Sequence, residues 1–266
     1  RRFDIGTAKP AAGERRRVPH RGIDIVDPTE RHSAAAWAED ATRWVAEATA
    51  AQRTPVVVGG TGFYLRALAM PLFEEPSLDA DRRAALARVL NPMSTPELRR
   101  WCEQLDPARA HLGRTQLLRA IEIAVLTGRP ISAWHREQPR GPGVRARWLV
   151  VSPRSPAALA HRIEERAAAM VRAGWEDEVR ELVQTVPEDA PAWNATGYRT
   201  VRERVRGTLT RDAMLARIIV ETRQYAKRQR TWFRHQLPSE RVTRIDPEDE
   251  RAMDMAIHWW REGTTQ

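Results

Sequence analysis

Thr54-Pro55-Val56-Val57-Val58-Gly59-Gly60-Thr61-Gly62 runs directly into Phe63-Tyr64-Leu65-Arg66-Ala67-Leu68-Ala69-Met70. Three consecutive β-branched apolar residues read as a short strand buried on both faces, the habit of a parallel sheet. The glycines end that strand in a turn, and the stretch after them has helical composition. Upstream, Ser33 is an N-cap candidate, and Trp37, Ala41, Trp44, Val45 and Ala48 recur at helical spacing. Helix, strand, glycine-rich turn and helix in succession are the grammar of a doubly wound α/β sheet.

Working outward, residues 1–30 read as loop, punctuated by Gly, Pro and Asp. Residues 77–143 read as successive helices without a strand. Asp79 or Asp81 starts one, Ser94-Thr95-Pro96-Glu97 is a capping-box pattern, and Thr115–Leu126 is a helix stopped by Gly128 and Pro130. Arg140–Gly143 reads as a linker, and a strand returns at Arg145–Val151. Long helices follow: one opened by Ser155-Pro156, then Gly174–Val186, Gly197–Arg206 and Thr210–His235. Arg241–Ile245 reads as a last strand, and Asp246-Pro247 as the opening of a closing helix. The expected organisation is an α/β core in residues 1–76 and 144–266, interrupted by an all-helical insertion at 77–143.

The chain has 266 residues and a net charge of +9, and of its 44 basic residues only Lys9 and Lys227 are lysine. Hydrophobic content of 42% and charged content of 30% fit a soluble globular protein of one or two domains. No apolar run reaches the ~18 residues of a membrane span, and the start lacks a signal-peptide pattern. A single cysteine, Cys102, excludes an internal disulfide framework and fits a reducing compartment. No HExxH or CxxC metal spacing is present. The charge fits a polyanionic partner, or a bias toward arginine with no functional content. Clustering on one face separates the two.

Such a cluster lies on the 210–235 helix. Arg223, Lys227, Arg230 and Arg234 fall within about 60° of one another at 100° per residue. No acidic residue interrupts Arg223–Arg234, and Leu215, Ile218, Thr222, Tyr225, Trp232 and Phe233 gather opposite. Aligned cations repel unless an anion lies along them, so this row reads as a phosphate track or as an arginine-rich exposed face. Arg162 and Arg166, at i and i+4, form a fork suited to phosphate or to a surface salt bridge. Gly59-Gly60-Thr61-Gly62, at a strand end, lets a ligand approach the backbone or serves as a plain structural turn. It is not a Walker A sequence, which occurs nowhere in the chain. Asp4, Asp24 and Asp27, with His20, suit acid–base work or hydrated Mg²⁺, or simple turn chemistry.

Seven strings in order resemble the tRNA dimethylallyltransferase family: Asp4-Ile5-Gly6-Thr7-Ala8-Lys9-Pro10; Val18-Pro19-His20 with Ile23–Pro28; Val58–Leu65; Arg119-Ala120-Ile121-Glu122; Arg162–Arg166; Gly197-Tyr198-Arg199; and Thr222–Gln229 with Thr231–Arg234. The resemblance implies a P-loop-type parallel-sheet core with a helical insertion. It also implies transfer of a dimethylallyl group from dimethylallyl diphosphate to the N6 amine of the adenine just 3′ of the anticodon, in tRNAs reading codons that begin with U. The partners implied are that diphosphate and the tRNA anticodon stem-loop, with Mg²⁺ as cofactor, in a cytoplasmic monomer that touches no membrane. A diphosphate leaving group needs cations for its developing charge, and a stacked base must turn out before it reacts.

By the same resemblance, Thr61 and Arg166 take catalytic positions, and Asp4, Lys9, His20, Gly59 and Gly60 surround the diphosphate and substrate pocket. Arg83, Gln116, Leu117, Leu118, Arg119, Ala120, Asn194, Gly197, Tyr198, Arg199, Arg223, Lys227, Arg228, Arg230 and Arg234 fall on tRNA-contacting positions. Two departures stand out. His111-Leu112-Gly113-Arg114 replaces the family's Asn-Asp turn. The family's Walker A-like loop, general-base aspartate and first strand lie upstream of its Asp-Ile-Gly-Thr motif. A chain truncated there is expected to be nearly inactive. The competing expectations are an adenylate dimethylallyltransferase acting on a free nucleotide, and a non-catalytic RNA-binding remnant.

Overall fold

The computed structural model describes residues 1–70, 76–137, 143–237 and 241–264. The chain divides into two compact units, Arg1–Ala69 with Val144–Gln266, and Met70–Gly143.

The second unit is helical. It contains α4 (Ala80–Leu90), α5 (Thr95–Leu105), α6 (Arg114–Thr127) and α7 (Ile131–Glu137). Asp79 caps α4 by accepting the Arg82 amide at 2.8 Å. Glu97 accepts both the Ser94 amide (2.7 Å) and the Ser94 hydroxyl (2.6 Å), so the α5 cap forms where the sequence placed it. These bonds hold the Glu97 carboxyl below its usual range. Leu98, Leu117, Ile121 and Ile123 are fully buried at the centre of this unit. Burial also raises the pKa of the Cys102 thiol, which makes it a poor nucleophile. The expected linker at 140–143 lies outside the described residues except for Gly143.

The first unit holds α1 (Ala12–Arg17), α2 (Ala34–Ala50), α3 (Gly62–Ala69), β1 (Trp148–Val151), α8 (Pro156–Arg172), α9 (Trp175–Thr185), α10 (Tyr198–Val205), α11 (Arg211–His235), β2 (Val242–Ile245) and α12 (Ala252–Thr264). Side-chain oxygens of Ser33, Ser155 and Thr210 cap α2, α8 and α11 by accepting the amides of Ala36, Ala158 and Ala213. The core gathers Phe3, Trp175, Val179, Trp193, Tyr198, Val201 and Met214. β1 and β2 pair in parallel, Trp148 opposite Val242 through Val151 opposite Ile245.

Three readings of the sequence are corrected. First, Ala12–Arg17 is helical rather than loop. Second, Thr54–Val58 is not a strand: the sheet has two strands among the described residues, and Val58 is 89% exposed. A parallel strand needs hydrogen-bonded neighbours and covered faces. Here the run instead lines a cavity of about 1130 Å³, whose other walls include β1 and Phe233. Burying each valine would contribute about 1.5–3 kcal/mol, so this exposure is costly. Third, α12 starts at Ala252, not at Pro247. Asp246 and Asp249 accept the amides of Glu248 and Arg251, and these local turns displace the first helical turn.

Candidate nucleic-acid interface

The Gly59–Gly62 turn docks on α11. Thr61 Oγ1 lies 3.1 Å from the Tyr225 hydroxyl. A side chain at Gly60 would meet Gln229, and one at Gly62 would collide with the Trp232 indole. Tyr225, Gln229 and Trp232 follow i, i+4, i+7 spacing and so form one stripe of the helix. Close approach of α11 therefore requires Gly62, against a rigid ring, whereas the flexible end of Gln229 could swing away from a side chain at Gly60. Arg66, on α3, donates to Gln236 at 3.0 Å and ties the same two elements.

The cation row lies on the opposite side of α11, about 180° away by helical geometry. Arg223 is taken up by Glu164 of α8 at 2.5 Å. Lys227, Arg230 and Arg234 carry no ion pair among the described residues. Lys227 and Arg234 are exposed and Arg230 is half-buried. Arg230 and Arg234 also line the cavity beside Val56–Gly60. Arg228 leans over the Tyr225 ring at 5.8 Å. One stripe of α11 thus grips the glycine turn, and Lys227, Arg230 and Arg234, without ion pairs among the described residues, run from solvent to the edge of the cavity beside it.

Arg166 is exposed on α8 without an ion pair among the described residues. Its neighbour in the fork, Arg162, lies 3.5 Å from Glu248.

The N-terminal carboxylates are engaged. The Lys9 ammonium, 15% exposed, sits 2.5 Å from both Asp4 and Asp24, and Arg15 reaches Asp24 at 3.2 Å. The hydrogen bond from Lys9, with help from Arg15, holds the Asp24 carboxyl below its usual range. Asp27 accepts the Thr29 amide and hydroxyl, which is turn chemistry and lowers its pKa too. His20 is exposed and engages the Val18 carbonyl of its own loop at 2.7 Å.

The remaining sequence-selected residues separate into surface and core. Asn194 and Arg199 are exposed and joined side chain to side chain. Gly197 and Tyr198 are buried: Gly197 has φ +85° beneath Trp175, and the Tyr198 hydroxyl donates to Glu178 at 2.6 Å. Burial, reinforced by Glu178, raises the Tyr198 pKa strongly. In the helical unit, Leu117 and Ala120 are core residues, so their side chains do not face a ligand. Leu118 is half-buried, and Gln116 caps its own helix by accepting the Gly113 amide. Arg83 and Arg119 both bind Glu122, Arg83 at 2.5 Å.

Sequence reading gave Glu178 and Trp175 no role, and it left Gln229 inside the Thr222–Gln229 string without a role of its own. Gln229 shares the helical period of Tyr225 and Trp232, a signal that was present. Nothing local marks Glu178, whose backbone partners are 173 and 174 residues away and whose side-chain partner Tyr198 is 20 away.

Comparison with known proteins identifies the family. The chain matches the IPP transferase family model over residues 1–236. The tRNA dimethylallyltransferase of Halorhodospira halophila is 42% identical over 254 residues, covering 92% of this chain and 82% of that one. That of Stenotrophomonas maltophilia is 41% identical over 249 residues, covering 89% and 78%. The full-length tRNA isopentenylpyrophosphate transferase of Bacillus halodurans superposes with a TM-score of 0.68 at 31% identity, covering 99% of this chain and 84% of that one. A eukaryotic dimethylallyltransferase acting on tRNA shares the fold, with a TM-score of 0.77 at 22% identity over 96% of this chain and 68% of that one. The motifs, the α/β unit with its small parallel sheet and the relatives agree: the chain belongs to the IPP transferase family.

Proposed function

We propose that this chain is a tRNA dimethylallyltransferase. In this reading the N6 amine of the adenine 3′-adjacent to the anticodon, in tRNAs reading codons that start with U, attacks the dimethylallyl carbon. The C–N bond forms, the C–O bond to diphosphate breaks, and the amine loses a proton. The observation that carries the reading is the two-sided α11: Lys227, Arg230 and Arg234 on one face and the clamped Gly59–Gly62 turn on the other. A mononucleotide acceptor has no use for a cation row of that length, whereas an RNA backbone supplies phosphates along it.

Roles follow from exposure and charge. Arg166, exposed and without an ion pair among the described residues, supplies positive charge to the departing diphosphate. Thr61, positioned by Tyr225, faces the acceptor. Asp4 and Asp24 clamp Lys9, so the loop they form is a scaffold, and Asp24, held in its charged form by Lys9 and Arg15, is a poor base. Among the described residues no three His, Cys, Asp or Glu side chains converge on a metal site. Asp4 and Asp24 are already taken up by Lys9, and no step is routed through Mg²⁺.

We further infer slow turnover by this chain, because the carboxylates beside Lys9 are already paired and are not free to take the proton of the amine. The setting implied is the cytoplasm, with the chain acting as a monomer. No described helix is long and apolar enough to cross a membrane.

The test is acceptor choice. The chain is incubated with dimethylallyl diphosphate and either an anticodon stem-loop or adenosine monophosphate, and the nucleosides are separated. The expected product is N6-dimethylallyladenosine at the single adenine 3′ of the anticodon, formed slowly, with the mononucleotide unreacted. Preferential prenylation of the mononucleotide would overturn the reading.

A further inference from the structure

Three consecutive backbone amides near the start of the chain end on one polar couple. The amides of Asp4 (3.0 Å) and Ile5 (2.8 Å) donate to Glu178 Oε2. The amide of Gly6 donates to the Tyr198 hydroxyl at 3.0 Å, and that hydroxyl donates to Glu178 Oε1 at 2.6 Å. The Trp175 indole fills the space where a side chain at either Gly6 or Gly197 would sit. Phe3, immediately before the bonded amides, packs on Trp193 and Tyr198 with ring centroids 5.2 and 4.7 Å away.

The loop so held is not relaxed. Ala8 has φ +51°, a conformation non-glycine residues adopt rarely and keep only when their surroundings impose it. The same loop carries Lys9 into its carboxylate pair, and the Lys9 amide closes back on the Asp4 carbonyl at 3.1 Å. The other end of the couple, Tyr198, stands between Gly197 and Arg199, where Arg199 is exposed and joined to Asn194. A greasy core would hold Phe3 without any carboxylate. Glu178 adds direction, because it fixes the amides of residues 4 and 5 individually.

We propose that Glu178 and Tyr198 are positioning residues that lock the Asp4–Lys9 loop to the Asn194–Arg199 turn, so that one RNA meets both segments as a single surface. This rests on the reading of an RNA acceptor. Neither residue touches the RNA; each acts through the backbone it holds.

The test uses the full chain, its Tyr198→Phe and Glu178→Gln variants, and an anticodon stem-loop, read by amide hydrogen exchange and by affinity at several salt concentrations. In the wild type, RNA should slow exchange in residues 4–9 and 194–199 together. In Tyr198→Phe, exchange in 4–9 should rise about tenfold as the loop opens locally. The stem-loop Kd should rise about fivefold at an unchanged salt slope, because no cation is lost. RNA protection should persist at 194–199 and vanish at 4–9. Should Tyr198→Phe fail to fold, Glu178→Gln carries the same expectations. Faster exchange in 4–9 with unchanged affinity and unchanged dual protection overturns the proposal and leaves a purely structural contact. A wild type that does not bind the stem-loop overturns the reading beneath it. Wild-type binding that neither variant alters overturns the latch alone.

Discussion

The Thr61 hydroxyl and the Tyr225 hydroxyl lie 3.1 Å apart across 164 residues of sequence, which makes α11 the support of the glycine turn as well as the bearer of the cation row. Tyr225→Phe removes the partner of Thr61 and leaves the ring in place. A net contribution of about 0.5–1.5 kcal/mol is typical of such a bond. The expected outcome is a small fall in stability with a larger fall in the rate of dimethylallyl transfer at saturating stem-loop. Equal rates for wild type and variant would show that Thr61 needs no support.

Close approach at Gly62 makes a sharper demand. Gly62→Ala drives a methyl group into the Trp232 indole, a rigid ring rather than the tip of a flexible side chain. Overpacking of this kind costs about 1–3 kcal/mol. Thermal unfolding should show the loss, and Trp232→Leu in the same chain should recover part of it.

Glu122, 14% exposed, holds both Arg83 and Arg119 of the helical unit. It aligns two guanidinium groups and also competes with any phosphate for them. Glu122→Gln should tighten stem-loop binding about threefold at low salt and steepen its salt dependence. Weaker binding would mean that alignment outweighs competition.

The Lys9 clamp is sensitive to acid. Asp24 titrates lower in the folded chain than its ordinary value because Lys9 and Arg15 favour its charged form. A group depressed in this way contributes stability above its unfolded pKa and loses it as pH falls through the folded one. Wild type should therefore be more stable than Asp24→Asn near neutrality, and the gap in melting temperature should close below about pH 4. A gap that persists undiminished in acid would assign the contribution to shape rather than charge. Asp24 also sits at φ +57°, which aspartate and asparagine both tolerate, so the substitution leaves the backbone unstrained.

Helices were legible because their signals are local. Ser33, Ser94 with Glu97, Ser155 and Thr210 cap helices where their side chains predict it. The Thr54–Val58 run misled because strand formation depends on neighbours that a periodic pattern cannot display. Asp246-Pro247 misled because aspartate serves a turn as readily as a cap. In the candidate site, charge spacing on α11 identified the exposed row but not the Glu164 partner that removes Arg223 from it. The Tyr198 motif marked a real junction, yet its buried ring serves the Gly6 loop rather than the solvent.

The central claim is that RNA lies along Lys227, Arg230 and Arg234 of α11, which have no ion pair among the described residues, and salt dependence of stem-loop affinity tests it most directly. Reversing Lys227 and Arg230 to glutamate should weaken binding and lower the log–log salt slope by about one for each phosphate no longer neutralised. The same change at Arg223, already paired with Glu164, should have less effect. An affinity and slope unchanged by Lys227→Glu with Arg230→Glu would contradict the account.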